Sequence, residues 1–237
     1  MKNFTRNALA FLFVFPISGL IAQDFINAFR IGSSQHDEAH GLHEDAAGNI
    51  YLSGNFEGTI DFDPGSGEAF LTAQDGYDGF LAKYTEDYEY IWAISIACSG
   101  NMYGRHIAVD GDAHVYMTGY FDGEADFDPT SGEYLLMAEA MDGFLAKYDT
   151  DGNLLWAFDL GNENSTVAFD VCQDYEGNVW VSGVFKGDLD FDPSDDTFLL
   201  SGHGFQDAFM AKYTPDMEFM WAGEIGGEMS LFYYPVM

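Results

Sequence analysis

The sequence predicts an all-β fold of β-propeller repeats, about three four-stranded antiparallel blades forming an incomplete, open propeller. Three observations carry this. The stretch DGFLAKY at 78–84 returns at 142–148 and, as DAFMAKY, at 207–213. DFDP begins at Asp61, Asp126 and Asp190, and a Trp-Ala pair stands at Trp92, Trp156 and Trp221. The landmarks keep a period of 64 or 65 residues, and a fixed period of tens of residues is the signature of repeat architectures.

In chain order, residues 1–22 read as a signal peptide: Lys2 and Arg6 precede an apolar run from Ala8 to Ile21, closed by the small residue Ala22. The run is short for a membrane span, so the sequence predicts export without stable membrane insertion after cleavage. Residues 23–35 follow as an orphan outer strand of a closing blade, because FINAFRI at 25–31 aligns with the tryptophan stretch, Asn27 standing at the tryptophan position. Blade repeats are then expected at 36–98, 99–162 and 163–227, with a non-repeat tail at 228–237.

Each unit opens with a short run and a turn, at 42–49, 107–114 and 171–178. Gly-Asn closes the first and third turns and tolerates positive φ. The second copy lacks that pair, so its turn is expected to differ. Next come IYLSG, VYMTG and VWVSG. Alternation puts Ile50, Leu52, Val115, Met117, Val179 and Val181 on one face and Tyr51, Tyr116 and Trp180 on the other. Both faces are apolar, which predicts a sheet covered on both sides. DFDP and the apolar runs at 70–72, 134–136 and 198–200 predict a small hairpin, with one more residue between them in the first copy than in the others. DGFLAKY is the third main strand and the tryptophan segment the fourth, and four strands linked by hairpins make a propeller blade.

Charge narrows the partners. The net charge is −32, and losing residues 1–22 removes two positive charges and no acidic residue, leaving −34. Such a surface repels phosphates, which excludes nucleic acid. A protein or carbohydrate ligand, and self-association to complete the ring, remain the expected partners. Cys98 and Cys172 fall at different places in the repeat, and either a disulfide or two buried thiols fits an exported chain.

At this point the residues resemble a known family. D-x-x-G-N-x-Y-x-S-G, then D-F-D-P, then D-G-F-L-A-K-Y-x-x-x-G-N-x-x-W-A is similar to the SBBP-type β-propeller repeat of exported Bacteroidetes proteins, over residues 25–227. The resemblance implies that the tryptophan strand is outermost in each blade, and that 25–31 would pair with the last blade of a complete ring. Family members carry more copies and close a ring, and many bear a C-terminal secretion-sorting domain. This chain departs from both: it has three units, propellers need four or more, and the pattern stops after Gly226-Gly227.

Candidate chemistry lies in the recurring charges. Asp61 and Asp63, Asp126 and Asp128, Asp190 and Asp192 stand two apart, so each pair shares a strand face and needs neutralising. Calcium, helped by Ser66, Glu68, Ser131 and Glu133, is one answer. The other is Lys83, Lys147 and Lys212, three of the six cationic side chains outside the leader, pairing with an Asp of the same or next blade. Asp78, Asp142 and Asp207 read as strand-entry residues bonding nearby backbone. His36, His40 and His43 form the one histidine cluster, a weak zinc pattern. No nucleophile elbow, phosphate loop or Cys-x-x-Cys is present. The sequence therefore predicts an exported binding or structural module, not an enzyme. A calcium-stabilised adhesion module and a polysaccharide hydrolase are the alternatives.

Overall fold

Alternating apolar residues punctuated by Gly, Asn and Asp become strands and tight turns throughout. The computed structural model describes residues 28–226 except Asp75 and Asn162, and all regular structure among them is β. The expected signal peptide at 1–22, the start of the expected closing strand and the expected tail at 228–237 lie outside the described residues.

The first blade comprises β1 (Asp37–Glu44), β2 (Ile50–Phe56), β5 (Asp78–Tyr84) and β6 (Tyr90–Cys98), paired in that order, with a side hairpin of β3 (Thr59–Asp61) and β4 (Phe70–Thr72). The second repeats this with β7 (Met102–Val109), β8 (Val115–Phe121), β11 (Asp142–Tyr148) and β12 (Leu154–Leu160), and the hairpin β9 (Glu124–Asp126) and β10 (Leu135–Met137). The third has β13 (Thr166–Gln173), β14 (Val179–Phe185), β17 (Asp207–Tyr213) and β18 (Phe219–Ile225), and the hairpin β15 (Asp188–Asp190) and β16 (Leu199–Ser201). Every blade is thus a four-stranded antiparallel meander with the tryptophan strand at its edge. The side hairpin of the second blade also adds to the end of β6, pairing Ala97 with Asp126 and Cys98 with Ala125.

Packing follows from the two-faced strands. Val115, Met117, Phe144, Ala146 and Tyr148 of the second blade meet Tyr51, Leu81, Ile94 and Ile96 of the first in one buried cluster. The opposite face, with Tyr116, Leu145, Phe158 and Leu160, meets Val179, Val181, Phe209, Ala211 and Tyr213 of the third. Polar locks span both junctions. Trp92 Nε1 and Lys83 Nζ donate to the carbonyl of Thr150 in the next blade, at 3.0 and 3.3 Å. Trp156 Nε1 and Lys147 Nζ do the same to the carbonyl of Pro215, both at 3.3 Å. The outward face of the third blade has no blade over it among the described residues, and Met210, Trp221 and Ile225 are exposed there.

Inside each blade, three phenylalanines meet. Phe127 lies 5.8 Å from Phe121 and 5.0 Å from Phe144 between ring centroids, and Phe62 and Phe191 take the same places in the other blades. The ring of Phe144 covers Gly119, whose added Cβ would stand 2.7 Å from it and collide with the Tyr103 carbonyl. That close approach is why a glycine stands two residues before the end of the second strand in every copy, at Gly54, Gly119 and Gly183.

Four expectations need correction. The second turn does not differ: Ala113 takes φ 61° where Gly48 and Gly177 take 84° and 85°, and all three turns keep the same pair of backbone bonds. The ladder bonds impose the geometry, and alanine bears the strain. The hairpin loops are equal in length, because the residue bonded to the first Asp is eight further on in each copy: Ala69, Tyr134 and Phe198. The aromatic of the first copy is displaced by one, and the repeat length varies instead before the third main strand. Residues 28–35 form no strand and pair with none of the described strands. Phe29 nonetheless packs on Tyr84 at 5.5 Å, as Phe158 packs on Tyr213 at 5.2 Å. Finally, neither alternative for the cysteines holds in full: both are free thiols, but only Cys98, at the end of β6, is buried, while Cys172 is exposed on β13.

Ala113→Gly relieves a left-handed alanine and is expected to stabilise the protein by about 1 kcal/mol, a rise of roughly 2–4 °C in Tm. Thermal unfolding of the two proteins side by side checks this.

Candidate functional site

The repeated carboxylates are turn and cap groups. Asp126 Oδ1 accepts from the backbone N–H of Asp128 at 3.0 Å and of Tyr134 at 2.9 Å, and Asp128 Oδ1 accepts from Thr130 N–H at 2.9 Å. Asp61 and Asp63, and Asp190 and Asp192, make the same bonds. These caps fold the loop so that the intervening phenylalanine enters the core. The carbonyl of that phenylalanine is held in turn by a buried tyrosine hydroxyl: Tyr84 to Phe62, Tyr148 to Phe127 and Tyr213 to Phe191, at 3.0, 3.2 and 3.0 Å. Burial raises all three phenols, which keeps them protonated donors.

The lysines do not neutralise these carboxylates. Lys83 and Lys147 are buried, lie over the rings of Tyr51 and Tyr116 at 5.0 and 4.9 Å, and reach the next blade's backbone. Lys212, with no next blade over it among the described residues, pairs with Asp174 of its own blade at 2.8 Å, and that bond holds the Asp174 carboxyl well below its ordinary range. Asp78 binds backbone as expected, accepting from Cys98 N–H at 3.0 Å, and it also accepts from the Ser95 hydroxyl. The zinc pattern is not assembled: His36 and His40 both turn to Glu38, whereas burial and nearby His106 lower the pKa of His43. No group of three or more metal-ligating side chains stands close enough to hold an ion among the described residues.

A site that the repeat does not predict lies on the first strands. Each carries a β-bulge, between Ala39 and Gly41, Gly104 and Ile107, and Ala168 and Asp170. The backbone device is the same in all blades, but the side chains presented are His40, Arg105 with His106, and Phe169. Bulges re-aim side chains and are frequent beside functional sites.

At the first junction these side chains close a circuit. Glu38 meets His40 Nε2 at 3.1 Å, and His40 meets Arg105 Nη1 at 3.5 Å. Arg105 Nη2 donates to Tyr120 Oη at 2.8 Å and its guanidinium lies 5.2 Å from the centre of that ring. Tyr120 stacks on Tyr103 at 4.8 Å with 26° between planes. Tyr103 meets Tyr77 at 5.6 Å, Tyr77 meets His36 at 5.7 Å, and His36 returns to Glu38 at 3.6 Å. The three tyrosines and Arg105 are half-buried, so one edge of the circuit faces solvent. Burial, then Tyr120 and Tyr77, raises the Tyr103 phenol, which stays a neutral donor. Arg105 Nε is shielded from solvent and has no acceptor among the described residues, so this cation is incompletely satisfied. At the second junction His106 bridges to Asp170 at 2.8 Å. The signal that could have found the circuit is departure from the repeat: Tyr77, Tyr103 and Tyr120 align with Met141, Val167 and Val184 of the next copy.

No protein-family profile matches the chain. It is similar to an uncharacterized WD repeat-containing protein of Acanthamoeba polyphaga mimivirus, 27% identical over 182 residues, which cover 71% of this chain and 13% of that protein. The chain therefore spans only a small part of that relative's length. The likeness is to a repeat protein and agrees with the three blades; such a fold suits a binding or structural module.

If the repeated carboxylates act as caps, Asp126→Asn keeps an accepting oxygen and stays within about 0.5 kcal/mol of the parent, while Asp126→Ala loses about 1–2 kcal/mol. Chemical unfolding checks both. Equal losses for Asn and Ala would mean that the charge, and not the cap, matters.

Proposed function

We propose that this chain is an exported propeller-repeat module, of the SBBP kind, that binds a ligand at the inner strands of its first blade junction without turning it over. The carrying observation is a division of labour. Residues that recur are engaged in packing, capping or blade-to-blade locks, while Tyr77, Tyr103, Arg105 and Tyr120, which break the repeat, gather in one half-exposed circuit. The circuit holds a single carboxylate, Glu38, where glycoside hydrolysis takes a pair. The leader at 1–22 supports export and the strongly acidic surface supports a soluble outer location.

Residues kept for binding should be dispensable for folding. Tyr103→Ala and Arg105→Met are each expected to cost no more than about 1 kcal/mol, against about 3–5 kcal/mol for Phe127→Ala in the blade core. Denaturant unfolding of the three variants tests this. Losses at the circuit as large as that at Phe127 would make it a packing element and end the reading.

A further inference from the structure

The chemistry of the circuit narrows the ligand, and the narrowing rests on the binding reading above. Tyr103 and Tyr120 are nearly parallel and half-exposed; Tyr120 carries Arg105 and Tyr103 meets Tyr77, so the stack presents an apolar platform of ring edges with hydroxyl tips. Around it stand a guanidinium fork, an imidazole, a carboxylate and phenol hydroxyls, all tied to one another within hydrogen-bonding or ring-contact distance. Donors and acceptors alternate around the platform, which suits a ligand whose own groups both donate and accept.

Charge then separates the ligand classes. The net charge of −32 disfavours polyanions at long range. A cationic ligand would instead meet Arg105, already short of an acceptor for Nε. A neutral polyhydroxylated ligand meets neither penalty. Its hydroxyls can bond Glu38, His40 and the tyrosine tips, and its apolar C–H groups can pack on the tyrosine edges. We infer that the junction of the first and second blades is a binding site for a neutral carbohydrate, with Tyr103 as the apolar contact and Arg105, His40 and Glu38 as the hydroxyl-binding groups. The third blade, with Val167, Phe169 and Val184 at the matching places, lacks the polar half of this arrangement and serves as an internal control.

The test uses the whole protein against immobilised neutral oligosaccharides (gluco-, manno- and galacto-configured series) and acidic polysaccharides, with titration calorimetry on any that are retained. Retention of at least one neutral series is expected, little changed by added salt. Tyr103→Ala and Arg105→Met should each weaken it about tenfold or more, and Trp180→Ala on the third blade should leave it unchanged. Absence of any neutral ligand, retention of acidic glycans alone with steep salt dependence, or binding undiminished in both circuit variants would overturn the inference. If the circuit variants stay folded but no glycan binds, the carbohydrate assignment falls and the binding reading stands. If they unfold, both fall.

Discussion

Everything in this molecule follows from sheets that are apolar on both faces. A blade carrying Val115, Met117 and Phe144 on one side and Tyr116, Leu145 and Leu160 on the other cannot leave either side in water. It must be covered twice, and the economical cover is another copy of itself. Covering is also directional. The face with the lysine and tryptophan donors meets the face that offers a turn carbonyl, so Lys83 and Trp92 converge on Thr150 and Lys147 and Trp156 on Pro215. The third blade repeats the donors with no acceptor blade beyond it among the described residues. Lys212 accordingly swings to Asp174, and Met210, Trp221 and Ile225 stay exposed.

The local motifs serve this constraint. A phenylalanine driven in from the side hairpin thickens the outer part of each blade, and the two aspartates beside it exist to shape the loop that delivers it. The tyrosine ending the third main strand then holds the loop by its carbonyl. Read this way, D-F-D-P and the final Tyr of DGFLAKY form one device whose parts lie about twenty residues apart, at 127 and 148 in the second copy.

How much of this was legible in the sequence depends on period. Blade number and strand order were readable, because repetition aligns the copies and alternation sets the faces, whereas the edge place of Trp92, Trp156 and Trp221 was implied only by the family resemblance. Contacts between copies were not. Nothing local in DGFLAKY says that its lysine reaches a carbonyl 67 residues on instead of a nearby carboxylate. The Ala113 turn was misjudged because ladder bonds override a residue's own φ preference. Beyond its histidines, the tyrosine and arginine circuit was invisible for the opposite reason: it consists of departures from the pattern, scattered over His36 to Tyr120, and the bulges in the first strands present His40 and Arg105 to it.

Mutual cover is the claim on which the account stands, and hydrogen exchange of Leu145→Ala addresses it most directly. Leu145 is fully buried where the second blade meets the third. If blades are stable through each other, exchange should quicken in β14 and β17 of the third blade as well as in β8 and β11 of the second. Protection of the third blade identical to that of the parent protein would show that each sheet holds itself together, contrary to this account.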